Sequence, residues 1–240
     1  MSLMKPTKIL EETVIELLGK ISEMNGQNRA TRLTEQQLWE ELVACILGSR
    51  VVFETAYSAF SHLKHLGYLS LRNDSLGTVA WQERVAKELN RPLFLPPKLD
   101  GTTRKYPFPH LRSKHIAKSW EMIYREGRRL LDLLAQELES RQKRVNLMRC
   151  ACGIGPKQAS LFLRNSYLAK DVAILDTHVL RYMVINRLAK TSVKTVSSLA
   201  VYEQIEDCLR RYADSLRTTL SELDTAIWIT MRVFLREARA

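Results

Sequence analysis

Apolar positions recur three and four residues apart along most of this chain, the spacing that gathers them on one face of an α-helix. Leu10, Val14, Leu17, Leu18 and Ile21, with glutamates between them, predict a first amphipathic helix. Leu38, Leu42, Cys45 and Ile46 repeat the pattern behind Thr34-Glu35, a pair suited to capping a helix start. Further stripes run through Ile116, Trp120 and Ile123, and through Leu130, Leu131, Leu134 and Leu138. The last comprises Leu216, Leu220, Leu223, Ile227, Met231 and Leu235. No sustained alternation of period two competes with these stripes, so the expected class is all-α.

One stretch departs from the pattern. Residues 91–109 hold Pro92, Pro96, Pro97, Gly101, Pro107 and Pro109, which helix interiors do not accept. It reads as a long ordered crossing between two helical halves, or as the edge of a cleft. The expected division is an N-terminal helical lobe over 4–105 that includes the crossing and a second helical lobe over 106–240. The first helix can pack on either.

A length of 240 residues with 45% hydrophobic and 26% charged residues is ordinary for a soluble globular protein. No apolar run approaches the roughly 18 residues a membrane span needs. The N-terminus has no secretory core, because Lys5 and Lys8 are soon followed by Glu11 and Glu12. A cytoplasmic protein is expected, associated with the nucleoid if the source is prokaryotic. Cys45, Cys150, Cys152 and Cys208 match neither a zinc spacing nor a disulfide framework, and read as reduced structural thiols with no metal site.

The charge changes the picture more. The net charge of +11 points to a polyanionic partner, and its distribution sharpens that. Residues 1–104 carry 13 basic and 12 acidic groups, and residues 171–240 carry 10 and 9. Residues 105–170 carry 14 and 5, so nearly all the excess surrounds one short motif.

That motif is Cys152-Gly153-Ile154-Gly155-Pro156-Lys157-Gln158-Ala159-Ser160. Val145, Leu147 and Met148 before it suit a helix, and Ala159 to Leu163 suit another. Gly153-Ile154-Gly155 then makes a tight hairpin, and Pro156 fits the first helical turn, where its missing N–H costs nothing. Backbone N–H groups at such a helix start favour a phosphate. Lys157 follows directly, either as a surface lysine contacting DNA or as an amine nucleophile. Nineteen residues on, the apolar run Val172-Ala173-Ile174-Leu175 delivers Asp176 to another helix start, where it can cap, act as a fixed carboxylate, or do both.

Gly153-Ile154-Gly155-Pro156-Lys157, followed by Leu175-Asp176-x-His178, resembles the helix-hairpin-helix DNA glycosylase superfamily. Ala159-Ser160-x-Phe162-Leu163-Arg164-Asn165 and Asp171 to Asp176 look most like its type-2 8-oxoguanine DNA glycosylase/lyases. The likeness implies a two-lobed helical fold with a cleft between the lobes. It implies a bifunctional glycosylase and abasic-site lyase of base excision repair, with Lys157 as Schiff-base nucleophile and Asp176 as its partner carboxylate. A glycosylase for another damaged base, or a non-catalytic DNA-binding module, stays open as an alternative.

The partner implied is double-stranded DNA with a damaged base, met by a monomer without cofactor. The four-cysteine iron–sulfur signature of one branch is absent. Gly153, Ile154, Gly155, His178, Arg112 and Lys114 are expected at the DNA backbone. Arg50 is expected to fill the gap left by the flipped base, with Phe108 and Trp228 lining the base pocket. Two features depart from the type-2 pattern. The chain end reads Ile229 to Arg236 where members typically carry lysines, and the crossing at 91–109 looks like an addition.

Overall fold

A computed structural model describes residues 6–27, 32–71, 78–135, 137–189, 196 and 198–237. Among them there are eleven helices and no β-strand: α1 Pro6–Gln27, α2 Glu35–Leu47, α3 Phe53–His65, α4 Thr78–Leu89, α5 Pro109–Tyr124 and α6 Leu130–Leu133. The chain continues through α7 Ser140–Cys150, α8 Pro156–Asn165, α9 Thr177–Ile185, α10 Leu199–Ser215 and α11 Leu220–Glu237. The all-α expectation therefore holds. No helix among the described residues is long and apolar enough to cross a membrane.

The chain forms two compact units. One is continuous, Arg32–Leu168, and holds α2 to α8. The other joins Met1–Thr31 to Ala169–Ala240, so α1 shares it with α9, α10 and α11. The boundary expected after residue 105 falls inside the continuous unit, because the proline-rich crossing links α4 to α5 of that same unit. Helical periodicity shows which face a helix buries, but not which partner covers it.

In the discontinuous unit, Leu10, Val14 and Leu18 of α1 enter a core with Val179, Leu180 and Met183 of α9. Leu209 of α10 and Leu223, Ile227 and Met231 of α11 complete it. Each such side chain taken fully from water contributes about 1.5–3 kcal/mol. That burial holds α1 against the C-terminal helices across almost the whole length of sequence.

The continuous unit is organised around α2. Thr34 caps it as expected, its Oγ1 accepting from Gln37 N while Gln37 Oε1 accepts from Thr34 N. Trp39 is fully buried and meets Tyr124 of α5 edge to face, with ring centroids 5.7 Å apart. Glu35 reaches across from the first turn. Its carboxylate accepts from Leu130 N at 2.7 Å, Leu131 N at 3.1 Å and Tyr124 Oη at 2.7 Å. Those N–H groups belong to the first turn, which a helix leaves unpaired, so Glu35 caps α6, and the leucine stripe at 130–138 gives only this single turn. Asn146 Nδ2 takes the Leu133 carbonyl at the other end.

The crossing at 91–109 is ordered by the same logic. Phe94 and Arg104 exchange backbone hydrogen bonds at 2.9 and 3.0 Å, closing a ribbon. Buried Tyr106 donates its hydroxyl to Leu47 O at 2.6 Å and its N–H to Leu89 O at 3.1 Å. A proline-rich segment lacks donors, so it is pinned by the donors it has.

Glu35 makes a specific forecast. Glu35→Ala leaves two backbone N–H groups and a tyrosine hydroxyl without their shared acceptor, and should cost about 3 kcal/mol. The urea midpoint of unfolding reads this. Glu35→Gln, which keeps an acceptor, should recover part of the loss.

Candidate DNA-contacting and catalytic site

The expected hairpin is present. α7 ends at Cys150, Ala151 to Gly155 turn the chain, and α8 begins at Pro156. Gly153 has φ 77°, the left-handed region that glycine enters without strain. A Cβ on Gly153 would also overlap the imidazole of His115 in α5, so glycine is required there twice over. Gly155 differs. Its φ is −98° and a Cβ would meet nothing, so neither backbone nor packing demands glycine there. The space over Gly155 opens onto the head of α8. Gly155 has no side chain to cap the helix and Pro156 has no N–H, so the N–H groups of Lys157 and Gln158 have no intrahelical acceptor.

Lys157 is exposed at the second position of α8. Its ammonium makes no hydrogen bond or ion pair with the other described residues of its unit. Its neighbour Gln158 faces inward, where Nε2 donates to Cys45 O at 3.1 Å and fixes α8 on α2. Below lies a small polar cluster. Asn165 Nδ2 donates to Glu41 Oε1 at 2.7 Å, and Cys45 Sγ lies 3.7 Å from the same oxygen. Burial pushes the Glu41 carboxyl above its ordinary value, opposed by those two hydrogen bonds. Burial pushes the Cys45 thiol well up too; the Glu41 charge adds to this and the Lys157 charge opposes it. Cys45 is a buried, inert thiol.

The hairpin is braced from behind by α5. Cys152 N donates to Ser119 Oγ at 2.8 Å, and Ser119 Oγ donates to His115 O at 2.7 Å. Arg112 was expected at the phosphate backbone, yet only 5% of it is exposed. Its Nη2 donates to Ser49 O at 2.6 Å and its Nη1 to His115 Nδ1 at 3.2 Å. Its guanidinium also covers the ring of Phe108, 5.6 Å from the centroid. Arginine has no acceptor, so His115 Nδ1 must be unprotonated. Arg112 is thus turned inward as a strut between two turns. Lys114 lies exposed on the outer face of α5, as a phosphate contact requires.

Arg50 sits in the turn that Arg112 holds. It is exposed, with φ 61°, at the head of α3. Phe108 precedes α5 and is 37% exposed.

Asp176 belongs to the other unit, and its setting is equally specific. It is the N-cap of α9, with Oδ1 accepting from His178 N at 2.8 Å and Val179 N at 2.9 Å. The segment before it is neither helix nor strand, and buried side chains take its backbone. Ala173 N donates to Glu206 Oε1 at 2.9 Å, Ile174 N to Asp224 Oδ2 at 2.6 Å and Leu175 N to Tyr202 Oη at 3.0 Å. Tyr202 Oη in turn donates to Ala173 O at 2.6 Å. Arg210 pairs with Asp171 and, at 3.7 Å, with Glu206, tying down the start of the segment. His178 Nδ1 is buried and finds no partner among the described residues. Trp228 is 38% exposed with Arg232 over its ring, 5.0 Å from the centroid. The described residues contain no cluster of His, Cys, Asp and Glu able to hold a metal.

Glu206, Tyr202 and Ser119 escape a reading of motifs, since each acts on backbone 27 to 33 residues away, and His115 escapes it because its ring packs against Gly153 from a different helix. Asp224 interrupts the last apolar stripe, between Leu223 and Ile227, and the sequence alone assigns it no role. An acidic residue inside an apolar stripe was the available signal.

The brace generates two forecasts. Gly153→Ala forces a left-handed alanine, at about 1–2 kcal/mol, and adds the overlap with His115. Both stability and DNA affinity should fall, read by thermal melting and fluorescence anisotropy. His115 is held below its ordinary value by burial, then by the Arg112, Lys114 and Lys118 charges. The unfolded chain therefore takes up this proton first as pH falls. Stability from the site is complete above about pH 6.5 and is lost as pH drops through the depressed value. His115→Asn, which still accepts from Arg112 but does not titrate, should lose less Tm on acidification than the parent; an equal loss rules the brace out as its source.

A sequence profile described as 8-oxoguanine DNA glycosylase matches residues 96–218. The 8-oxoguanine DNA glycosylase/AP lyase of Saccharolobus solfataricus is 28% identical over 215 residues, spanning 88% of this chain and 90% of that one. The Methanocaldococcus jannaschii 8-oxoguanine glycosylase/lyase, solved with a 15mer DNA containing 8-oxoguanine, superposes with a TM-score of 0.62 at 25% identity. That match covers 94% of this chain and 90% of the other. The 8-oxoguanine DNA glycosylase of Thermotoga maritima gives a TM-score of 0.63 at 25% identity, covering 92% and 93%. With a helical hairpin, a lysine heading its second helix and an aspartate capping the next, and with the family profile spanning half the sequence, this chain belongs to the 8-oxoguanine DNA glycosylase family of helix-hairpin-helix proteins.

Proposed function

We propose that this chain excises 8-oxoguanine from duplex DNA and cleaves the strand at the resulting abasic site, with Lys157 as nucleophile and Asp176 as its partner carboxylate. The observation that carries the reading is the position of Lys157, exposed at the head of α8 beside backbone N–H groups that no side chain caps. A phosphate drawn to those groups brings a sugar into reach of the amine. The base itself must leave the stack, because its glycosidic bond is inaccessible inside a duplex.

The chemistry follows from the two groups. The neutral amine of Lys157 attacks C1′ as the bond from C1′ to the base nitrogen breaks, and the base departs with a proton. The sugar ring opens as the amine nitrogen and C1′ form a Schiff base. Loss of a proton from C2′ then expels the 3′ phosphate, which is β-elimination. Positive charge develops on the sugar while the glycosidic bond breaks, and a fixed carboxylate stabilises it. Asp176 is suited to this because Oδ1 is anchored on two backbone N–H groups, which orients the carboxylate.

The wider reading has Gly153, Gly155, Lys114 and His178 at phosphates, with Ile154 there through its backbone since its side chain is buried, and Arg50 in the gap left by the flipped base. Phe108 and Trp228 flank that base. A single chain acts in the cytoplasm without cofactor.

Borohydride trapping on a duplex carrying 8-oxoguanine, beside undamaged and abasic duplexes, tests the mechanism. The parent chain should give a covalent complex on 8-oxoguanine and on the abasic site, and Lys157→Gln should give none while still binding. Asp176→Asn is the sharper probe, since asparagine caps as well as aspartate and the fold should keep its Tm. Excision should nevertheless fall by about 10²–10⁴-fold. Native-rate excision by Lys157→Gln would overturn the nucleophile; trapping on the abasic duplex alone would keep the lyase and reassign the lesion.

A further inference from the structure

Two aromatic rings stand in solvent at the head of α3. Phe53 is 70% exposed and Tyr57 60%, and they lie one helical turn apart on one face. Their rings are stacked, with centroids 5.9 Å apart and planes within 19°. Val52, which precedes the helix, is 61% exposed and offers no side-chain cap. Single exposed apolar residues are common on soluble proteins, but a stacked pair with open outer faces presents a flat π surface.

Its surroundings point to one kind of occupant. Arg50, in its left-handed turn, lies three residues before Phe53. The Ser49 carbonyl in that turn is held by Arg112, Arg112 by His115, and the His115 ring lies against Gly153 of the hairpin. Two side chains in contact therefore join the head of α3 to the hairpin within a single unit. Exposed Lys114 and Lys118 line the outer face of the helix that supplies both. The pair exposes roughly 300 Å² of ring, well short of the roughly 800 Å² per side that a stable protein partner covers. Stacked rings beside cations suit nucleobases instead, because every base offers a π face.

We infer that Phe53 and Tyr57 form a base-stacking surface for duplex DNA opened at the lesion, so that this unit touches bases at α3 and phosphates at the hairpin. The inference rests on the DNA-directed reading above and extends it to residues with no part in the chemistry.

The test uses the full chain and a duplex bearing a tetrahydrofuran abasic analogue, with 2-aminopurine placed opposite. This fluorophore brightens when unstacked and dims when a ring covers it. The parent chain should bind and dim it. Phe53→Ala and Tyr57→Ala should each bind about tenfold more weakly and leave it bright. The slope of log affinity against log salt should not change, whereas a lost phosphate contact lowers it by about one. Phe53→Tyr should restore parental behaviour. Both rings are exposed, so the melting temperature should hold in every variant and serves as the folding check.

Parental affinity and dimming in both alanine variants overturn the inference. So does a reduced salt slope, or a concentration-dependent dimer that the variants abolish. If the parent chain itself fails to bind this duplex, the DNA-directed reading falls with it. Parental binding with indifferent variants removes only the stacking surface.

Discussion

Non-helical backbone inside a helical core has no regular ladder to satisfy it, and the run from Val172 to Asp176 depends on that constraint being met. An unpaired buried N–H costs as much as a lost hydrogen bond. Glu206 and Asp224 are buried carboxylates, each taking one such N–H, and Tyr202 serves two groups with one hydroxyl. Buried charges are tolerated where hydrogen bonds compensate their desolvation. The return is directional. The chain arrives at the head of α9 on a fixed line, and the carboxylate of Asp176 is held by two further backbone bonds.

The same economy of donors governs the continuous unit. Its hairpin has no capping side chain of its own, so its geometry comes from behind, through Ser119 on Cys152 and His115 against Gly153. Arg112 then fastens the Arg50 turn to that brace through the Ser49 carbonyl. A basic residue in a basic stretch serves here as an internal tie between two surface turns. The exposed cations that remain, Lys114, Lys118 and Lys157, can face phosphate without moving the frame that carries them.

Much of this was legible in the residues. Apolar stripes located the longer helices because burying one face is what makes a helix stable in water. Gly153 and Pro156 announced the hairpin because few residues accept a left-handed turn or a first helical position so readily. Asp176 was readable as a cap from its place after an apolar run. The stripe at 130–138 gives one helical turn rather than a long helix, with its head capped by Glu35 and its last carbonyl taken by Asn146. The inward turn of Arg112 was hidden for a similar reason: its acceptor is a carbonyl 63 residues away. Periodicity and motif report what a residue can do locally; which group across the fold claims it is decided by the three-dimensional path.

That path has an effect on the order in which the protein can be made. The unit built from α1 and α9 to α11 takes its parts from both ends of the chain, whereas α2 to α8 are contiguous. On a ribosome the contiguous unit can close as soon as its last helix emerges. The stripe of Leu10, Val14 and Leu18 is synthesised first yet must wait for α11 before it is covered. Between the emergence of α1 and that of α11 the nascent chain therefore carries an apolar stripe without its partners, and the segment leading to Asp176 is held only once Tyr202, Glu206 and Asp224 have been made.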